Sequence, residues 1–465
     1  MAVPALRRGL RTLGTLLITL SAISPASSVF VIAPGVLTGA GSGAFYSFVA
    51  AAVVGVFMAF VYAELASAFP LAGGEYAITA RTLGRLPGFV VLGIMIVTQV
   101  LILAVIALGV GTYLGVLIPG LSAPVAAAVT CVVAGLVAVF DIKLNAWITG
   151  VFLAIELLAL AVVAALGLLD PVRPFTELLT QPVAADGGPA TVGAIVVATS
   201  VAIFAYNGYG SAVYFGEETQ DAGRGVARAI LLALGITVLA ELVPVTAVLL
   251  GSADLGALFS APNMLSHFVT ERGGGTLDTV VSLAVALAII NAVLAIVLIS
   301  SRLVFSSGRD RAWPAPVNRA LAKVHPRFGT PWVATIGTGV VAAVLCFVDE
   351  QVLLVVTSTA IVVVYAALCL GAIAGRRSGA TAHARYRMPW FPVAPVLALA
   401  ALGFVLYQNA RDPEIGRPSL LVTAGIALLA VVYYLLVRRR RGGWVLAEPV
   451  TEEPTAPARP DGDRS

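Results

Sequence analysis

The run from Thr199 to Ile230 begins as an apolar helix pattern and is then interrupted by Tyr206-Asn207-Gly208-Tyr209-Gly210. Each glycine costs about 1 kcal/mol in a helix interior. Backbone groups freed by a break in hydrocarbon must be met by protein or water, so a break at that depth implies a lined cavity. The side chains suit a small cationic guest: Phe204, Tyr206 and Tyr209 can close over it, while Asn207 and the freed carbonyls accept hydrogen bonds from an ammonium group. Ser24-Pro25-Ala26-Ser27-Ser28 makes a second candidate break. Proline removes a helix hydrogen bond and clashes with the preceding turn. Three serine hydroxyls stand beside it, and the half-helix beginning there presents free N–H groups and about half a positive charge.

Glu156, inside Val151-Phe152-Leu153-Ala154-Ile155-Glu156-Leu157-Leu158, is the most informative single charge. A carboxylate inside a membrane span costs roughly 2.5–3.5 kcal/mol, so it must face a cavity or a partner. Three roles stay open: a proton carrier, a contact for sodium or a substrate amine, and a static hydrogen bond to the first break or to the eighth apolar run. Ser300 and Ser301 are either sodium ligands together with first-run carbonyls or helix-to-helix hydrogen bonders. Glu64 and Glu75, followed by Arg81 and Arg85, form a gate ion pair or are solvated loop charges. Glu217 and Glu218 are expected to gate or tether loops with Arg224, Arg228 or Arg302. Glu241, near Pro244, is a second acid within an apolar run and has no assigned role.

These residues need long apolar elements to hold them. The 465 residues are 59% hydrophobic and 11% charged, with a mean hydropathy of +1.00, against roughly 45–50% apolar and 25% charged in soluble domains. A polytopic membrane protein follows. About twelve runs approach the roughly 20 residues needed to cross a bilayer: near 12–37, 45–69, 86–117, 121–140, 146–169, 191–216, 227–250, 276–306, 332–348, 351–374, 390–409 and 419–437. Arg7, Arg8 and Arg11 before Leu13 to Leu20 imitate a secretory signal, but the apolar run continues to Leu37, so it is the first span. With both termini cytoplasmic, 24 of the 28 Lys and Arg fall on or face the inner side, which agrees with the positive-inside bias. Arg173, Arg272, Arg411 and Arg417 fall outside, with ten Asp and Glu.

The net charge of +4 is therefore a topology signal and not a nucleic-acid surface. Cys131, Cys346 and Cys369 sit within apolar runs at spacings of no metal motif, and His267, His325 and His383 fall in separate loops. No metal site, cofactor or catalytic constellation assembles from them, so no enzyme is expected. Residues 302–331 read as a short basic cytoplasmic connection, and Glu448 to Ser465 as a disordered tail.

Three separated motifs carry a resemblance. Tyr62-Ala-Glu-Leu-Ala-Ser-Ala-Phe-Pro-Leu-Ala-Gly-Gly-Glu-Tyr76 is one, and Phe204-Ala-Tyr-Asn-Gly-Tyr with Glu217-Glu218-Thr219 is the second. The third is Ser301-Arg302-Leu303, Gly308-Arg309-Asp310, His325-Pro326-Arg327 and Thr330-Pro331-Trp332. Over about residues 10–410 the chain resembles permeases of the amino acid, polyamine and organocation superfamily. That resemblance implies an all-α fold of twelve transmembrane helices with broken helices 1 and 6. It divides the chain into a cytoplasmic start (1–11), a first repeat of five helices (12–169), an inverted second repeat (170–374), helices 11 and 12 (375–437) and a cytoplasmic tail (438–465). The inverted arrangement places the substrate site where the two breaks meet.

The implied function is a secondary permease for an amino acid or related amine at the cell membrane, coupled to a proton or sodium, with an exchanger or a transport-silent sensor as alternatives. Relatives that carry α-amino acids usually have Gly-x-Gly in the first break, where bare amides receive the substrate carboxylate. Here Ala26-Ser27-Ser28 narrows that approach, which shifts weight toward an amine or small derivative. Glu156 falls where some proton-coupled relatives place a lysine, and Asp221-Ala222 lacks the proline common after the acid.

Overall fold

In the computed structural model, which describes residues 6–117, 120–441, 444–446 and 448, the named elements are all helices. The first half contains α1 (Thr12–Ile23), α2 (Pro25–Ser27), a π-helical turn (Ser28–Ile32), α3 (Ala33–Ala40), α4 (Ala44–Ala68), α5 (Gly74–Thr82), α6 (Arg85–Leu117), α7 (Ala123–Val137) and α8 (Ile142–Leu168). Then come α9 (Phe175–Thr180), α10 (Val192–Ala205), a 3₁₀ stretch (Tyr209–Phe215), α11 (Ala222–Gly251), α12 (Leu255–Ser260) and α13 (Met264–Gly273). The rest is α14 (Gly275–Arg309), α15 (Ala315–Leu321), α16 (Trp332–Leu345), α17 (Glu350–Ser358), α18 (Ala360–Ser378), α19 (Val393–Arg411) and α20 (Gly416–Arg441). The expected disordered tail lies, from residue 449 on, outside the described residues.

Among the described residues nine helical segments are long and apolar enough to cross a membrane, so the chain is a multi-pass membrane protein. The first of them, Thr12–Ala68, contains the turn at Gly41–Gly43. Each of the twelve apolar runs expected from sequence contains helix, although α7 and α16 have only 15 and 14 residues and the runs at 12–37, 191–216 and 351–374 are interrupted. Both expected breaks are present. Ser24 adopts a left-handed φ of 51° between α1 and α2, and Gly208 a φ of 119° after α10.

Apolar packing alone gives little drive between helices in lipid, so close approach of small residues decides which helices touch. The contact of α8 with α11 illustrates this. A Cβ on Gly167 would lie 2.0 Å from the Ala247 carbonyl oxygen, and one on Gly251 would lie 2.5 Å from Gly167 Cα. The two helices run parallel, and Glu156 and Glu241 precede this contact by similar stretches of helix, which sets them at similar depth. Gly167→Ala should therefore lower stability by about 1–3 kcal/mol, the usual cost of overpacking against backbone that cannot give way. Unfolding in detergent checks it, and an unshifted midpoint would contradict the close crossing.

The first and last described residues lie on one face. Arg8, Leu446 and Glu448 line a single cavity there, and the Gly9 and Leu10 amides donate to the Glu218 carbonyl.

Candidate functional site

The breaks meet. Ser28 Oγ donates to the carbonyl of Ala205, the last residue of α10, at 3.0 Å. A Cβ on Gly208 would sit 2.9 Å from Ile23 Cγ1 and 3.4 Å from its Cα, so only a bare backbone fits between the two chains. Around this junction lies a cavity of about 120 Å³. It is walled by α1, the π turn, α4, α5, α6, the end of α10, the 3₁₀ stretch, α14 and α18.

The 3₁₀ stretch decides which side chains reach the cavity. At three residues per turn, positions i and i+3 eclipse, so Gly208, Ser211 and Tyr214 share the cavity face. Tyr206 and Tyr209, expected as parts of an aromatic lid, are rotated away. Tyr206 packs edge-on against Phe48 at 5.6 Å, Tyr209 packs against Tyr62 at 6.2 Å, and both line a separate void of about 20 Å³. The aromatic residues at the cavity are Tyr62, Tyr214, Tyr365 and Phe204. Asn207 lines it as expected, but its Oδ1 accepts the Tyr365 hydroxyl. Sequence reasoning missed Thr98 and Gln99 on α6. Their signal was a polar pair on the helical face shared by Met95, Ile102 and Ile106.

The first break is satisfied from within the protein. Glu156 Oε1 accepts the Ala26 amide at 2.8 Å and Ser24 Oγ at 3.0 Å, and the Ser28 amide donates to the Ser24 carbonyl. Of the serines and alanine expected to bind substrate there, Ser28 lines the central cavity, Ser27 lines a separate vestibule, and Ser24 and Ala26 serve Glu156. Glu241, fully buried, lies within electrostatic reach of Glu156, Ser28 and Tyr206. Both of its oxygens, and Glu156 Oε2, lack a hydrogen-bond partner among the described residues. No cation pairs with either carboxylate there.

Ser301 Oγ donates to the Leu298 carbonyl at 2.8 Å and accepts from Arg302 Nη1 at 3.1 Å. A cation bound at Ser301 would lie against a guanidinium, which favours the hydrogen-bonding alternative over the sodium-ligand one. Ser300 Oγ is buried without a partner among the described residues.

Among the described residues three buried ion pairs lie on the face where Arg8, Leu446 and Glu448 meet. Glu218 holds Arg302 bidentately at 2.8 and 2.9 Å, Glu217 holds Arg309 at 2.6 and 2.8 Å, and Glu64 holds Arg376 at 2.7 and 2.6 Å. Arg302 was expected, whereas Arg224 and Arg228 take no part and Arg309 and Arg376 do. Glu75, paired in sequence reasoning with the gate, instead lines the central cavity. On the opposite side a vestibule of about 640 Å³ shares Ile32, Ile102, Ile106 and Phe204 with that cavity. The larger cavity on the terminal face, about 750 Å³, shares no lining residue with it.

A family model described as amino acid permease matches residues 10–433. An uncharacterized transporter of Mycobacterium tuberculosis is 34% identical, over 80% of this chain and 82% of its own length. The methylthioribose transporter of Bacillus subtilis is 26% identical, over 89% of this chain and 90% of its own. A branched-chain amino acid permease of that organism is 24% identical, over 92% and 93%.

Proposed function

The chain belongs to the amino acid permease family, and from that premise we propose that it is a secondary active transporter moving an amino acid or a related amine across the cytoplasmic membrane by alternating access. The observation that carries this reading is the pair of broken helices meeting at one buried cavity. A cavity of about 120 Å³ is slightly smaller than the roughly 150 Å³ that accepts benzene in an engineered protein core. It suits a small solute, as methylthioribose and branched-chain amino acids are for the two named relatives.

In this reading the chain crosses the membrane twelve times as two inverted repeats, 12–169 and 170–374, followed by 375–437, with both termini cytoplasmic. The three ion pairs are then the inner gate, closed here, and the vestibule is the outer approach. Glu156 and Glu241 flank the first break without a cationic partner, so their charge is balanced by a proton or a co-transported cation. Glu156 is the coupling residue, and release of its hold on the Ala26 amide links ion binding to movement of the half-helix. One charge crossing about 100 mV releases about 2.3 kcal/mol. At about 1.4 kcal/mol per tenfold, that supports roughly fifty-fold accumulation of a neutral solute.

Purified protein reconstituted into vesicles, with a panel of radiolabelled amino acids and amines under imposed proton or sodium gradients, tests the reading. The expected result is accumulation that follows one gradient. Exchange without accumulation would make the protein an exchanger, and binding without any flux a sensor.

A further inference from the structure

Three buried polar atoms without hydrogen-bond partners among the described residues converge on the central cavity: Glu75 Oε2, Thr98 Oγ1 and Ser211 Oγ. Glu75 is 3% exposed. Its other oxygen accepts the Tyr62 hydroxyl at 3.1 Å, and Tyr214 stands beside it. Among the described residues it is the one charged residue in the cavity wall. A buried carboxylate with an oxygen open to the cavity, together with two unpartnered hydroxyls, suits a positively charged donor entering the cavity.

Nothing in the cavity wall offers a counter-charge to an anion: among the described residues no Lys, Arg or His lines it, and at the adjoining first break the amides of Ala26 and Ser28 are held by Glu156 and by the Ser24 carbonyl. A zwitterion seated here would therefore bury its carboxylate without a counter-charge. Resting on the transporter reading above, we infer that Glu75 is the specificity residue for the ammonium group of a small primary amine, and that a free carboxylate on the guest is selected against.

The titratable groups facing Glu75 are the phenols Tyr62, Tyr214 and Tyr365, whose ordinary value near 10 keeps them neutral across the physiological range. Burial pushes the Glu75 carboxyl up to about 7, against the lowering effect of the Tyr214 and Tyr62 hydroxyls. An ammonium group binds the ionised carboxylate. The affinity for an alkylamine, whose ammonium stays charged well above this range, therefore climbs as the pH is raised through about 7 and levels off above it.

Equilibrium binding to the purified full-length protein in detergent separates this inference from the transport reading, because binding is read without flux. The probes are isobutylamine, valine methyl ester, valine and isobutanol, which share one branched skeleton and differ in charge. The amine and the ester are expected to bind, with valine and isobutanol weaker by roughly tenfold or more, the ratio associated with loss of one charged hydrogen bond. Glu75→Gln should lose a similar factor for the amine and flatten its pH dependence.

The inference is overturned if isobutanol equals the amine, if valine matches or exceeds it, if neither cation binds, or if Glu75→Gln keeps the wild-type affinity and pH profile. Should that variant fail to fold, the four wild-type affinities decide. If amines bind but no vesicle assay detects flux of any solute, the transport reading falls and the assignment of Glu75 stands.

Discussion

Glu156→Gln should abolish gradient-driven accumulation and spare exchange. Glutamine keeps the volume and one acceptor oxygen, so it can still receive the Ala26 amide and Ser24 hydroxyl that Glu156 Oε1 holds at 2.8 and 3.0 Å. It cannot exchange a proton or neutralise a cation at physiological pH. In vesicles with an imposed gradient, the internal concentration should fall from a limit of roughly fifty-fold toward equality with the outside. Counterflow of label into preloaded vesicles should continue near the wild-type rate. Accumulation that survives unchanged would remove Glu156 from the coupling mechanism and leave it a structural cap. Glu156→Ala is a different experiment. It strands a buried amide at about 1–3 kcal/mol, so any loss of transport there would mix coupling with helix disruption.

The second large effect is expected on the terminal face. Arg302 and Glu218 are 0% and 1% exposed and hold each other bidentately. Removing one partner leaves a desolvated charge, which costs about 3–5 kcal/mol, whereas replacing both with apolar residues of similar volume is often neutral. Glu218→Ala should therefore unfold in detergent at markedly lower denaturant than wild type. The double variant Glu218→Met, Arg302→Leu should recover most of that loss. A double-mutant cycle checks the pair directly. A single variant as stable as wild type would mean that the guanidinium has an adequate alternative partner, for which the Leu298 carbonyl, 3.2 Å from Nη1, is the candidate.

The helical class, the apolar runs and the location of both breaks were legible in the chain because their causes are local. Proline, glycine and membrane-length hydrophobic runs act on the backbone of their own turn, wherever that turn is later packed. Glu156 was legible as a residue that had to have a partner, since a carboxylate among Leu and Ile is costly in any membrane fold. The identity of that partner was one of several open alternatives, and the tertiary structure chose the first break.

Other features had no local cause. Glu64 meets Arg376, 312 residues away, and Glu217 meets Arg309, pairings that only the packing of distant helices sets. The aromatic lining was misread at Tyr206 and Tyr209 because the stretch after Gly208 winds at three residues per turn, which carries Ser211 and Tyr214 to the cavity instead. Glu75, beside a glycine pair and near arginines, reads as a gate partner or a loop charge, yet α5 turns it against Tyr62 and Tyr214. The sequence by itself determined that the chain crosses the membrane in helices and where two of them break. The tertiary structure alone decided which carboxylate lines the central cavity, which pair with arginines and which caps the broken helix, because each choice depends on helix rotation and long-range contact, which local residue order does not encode.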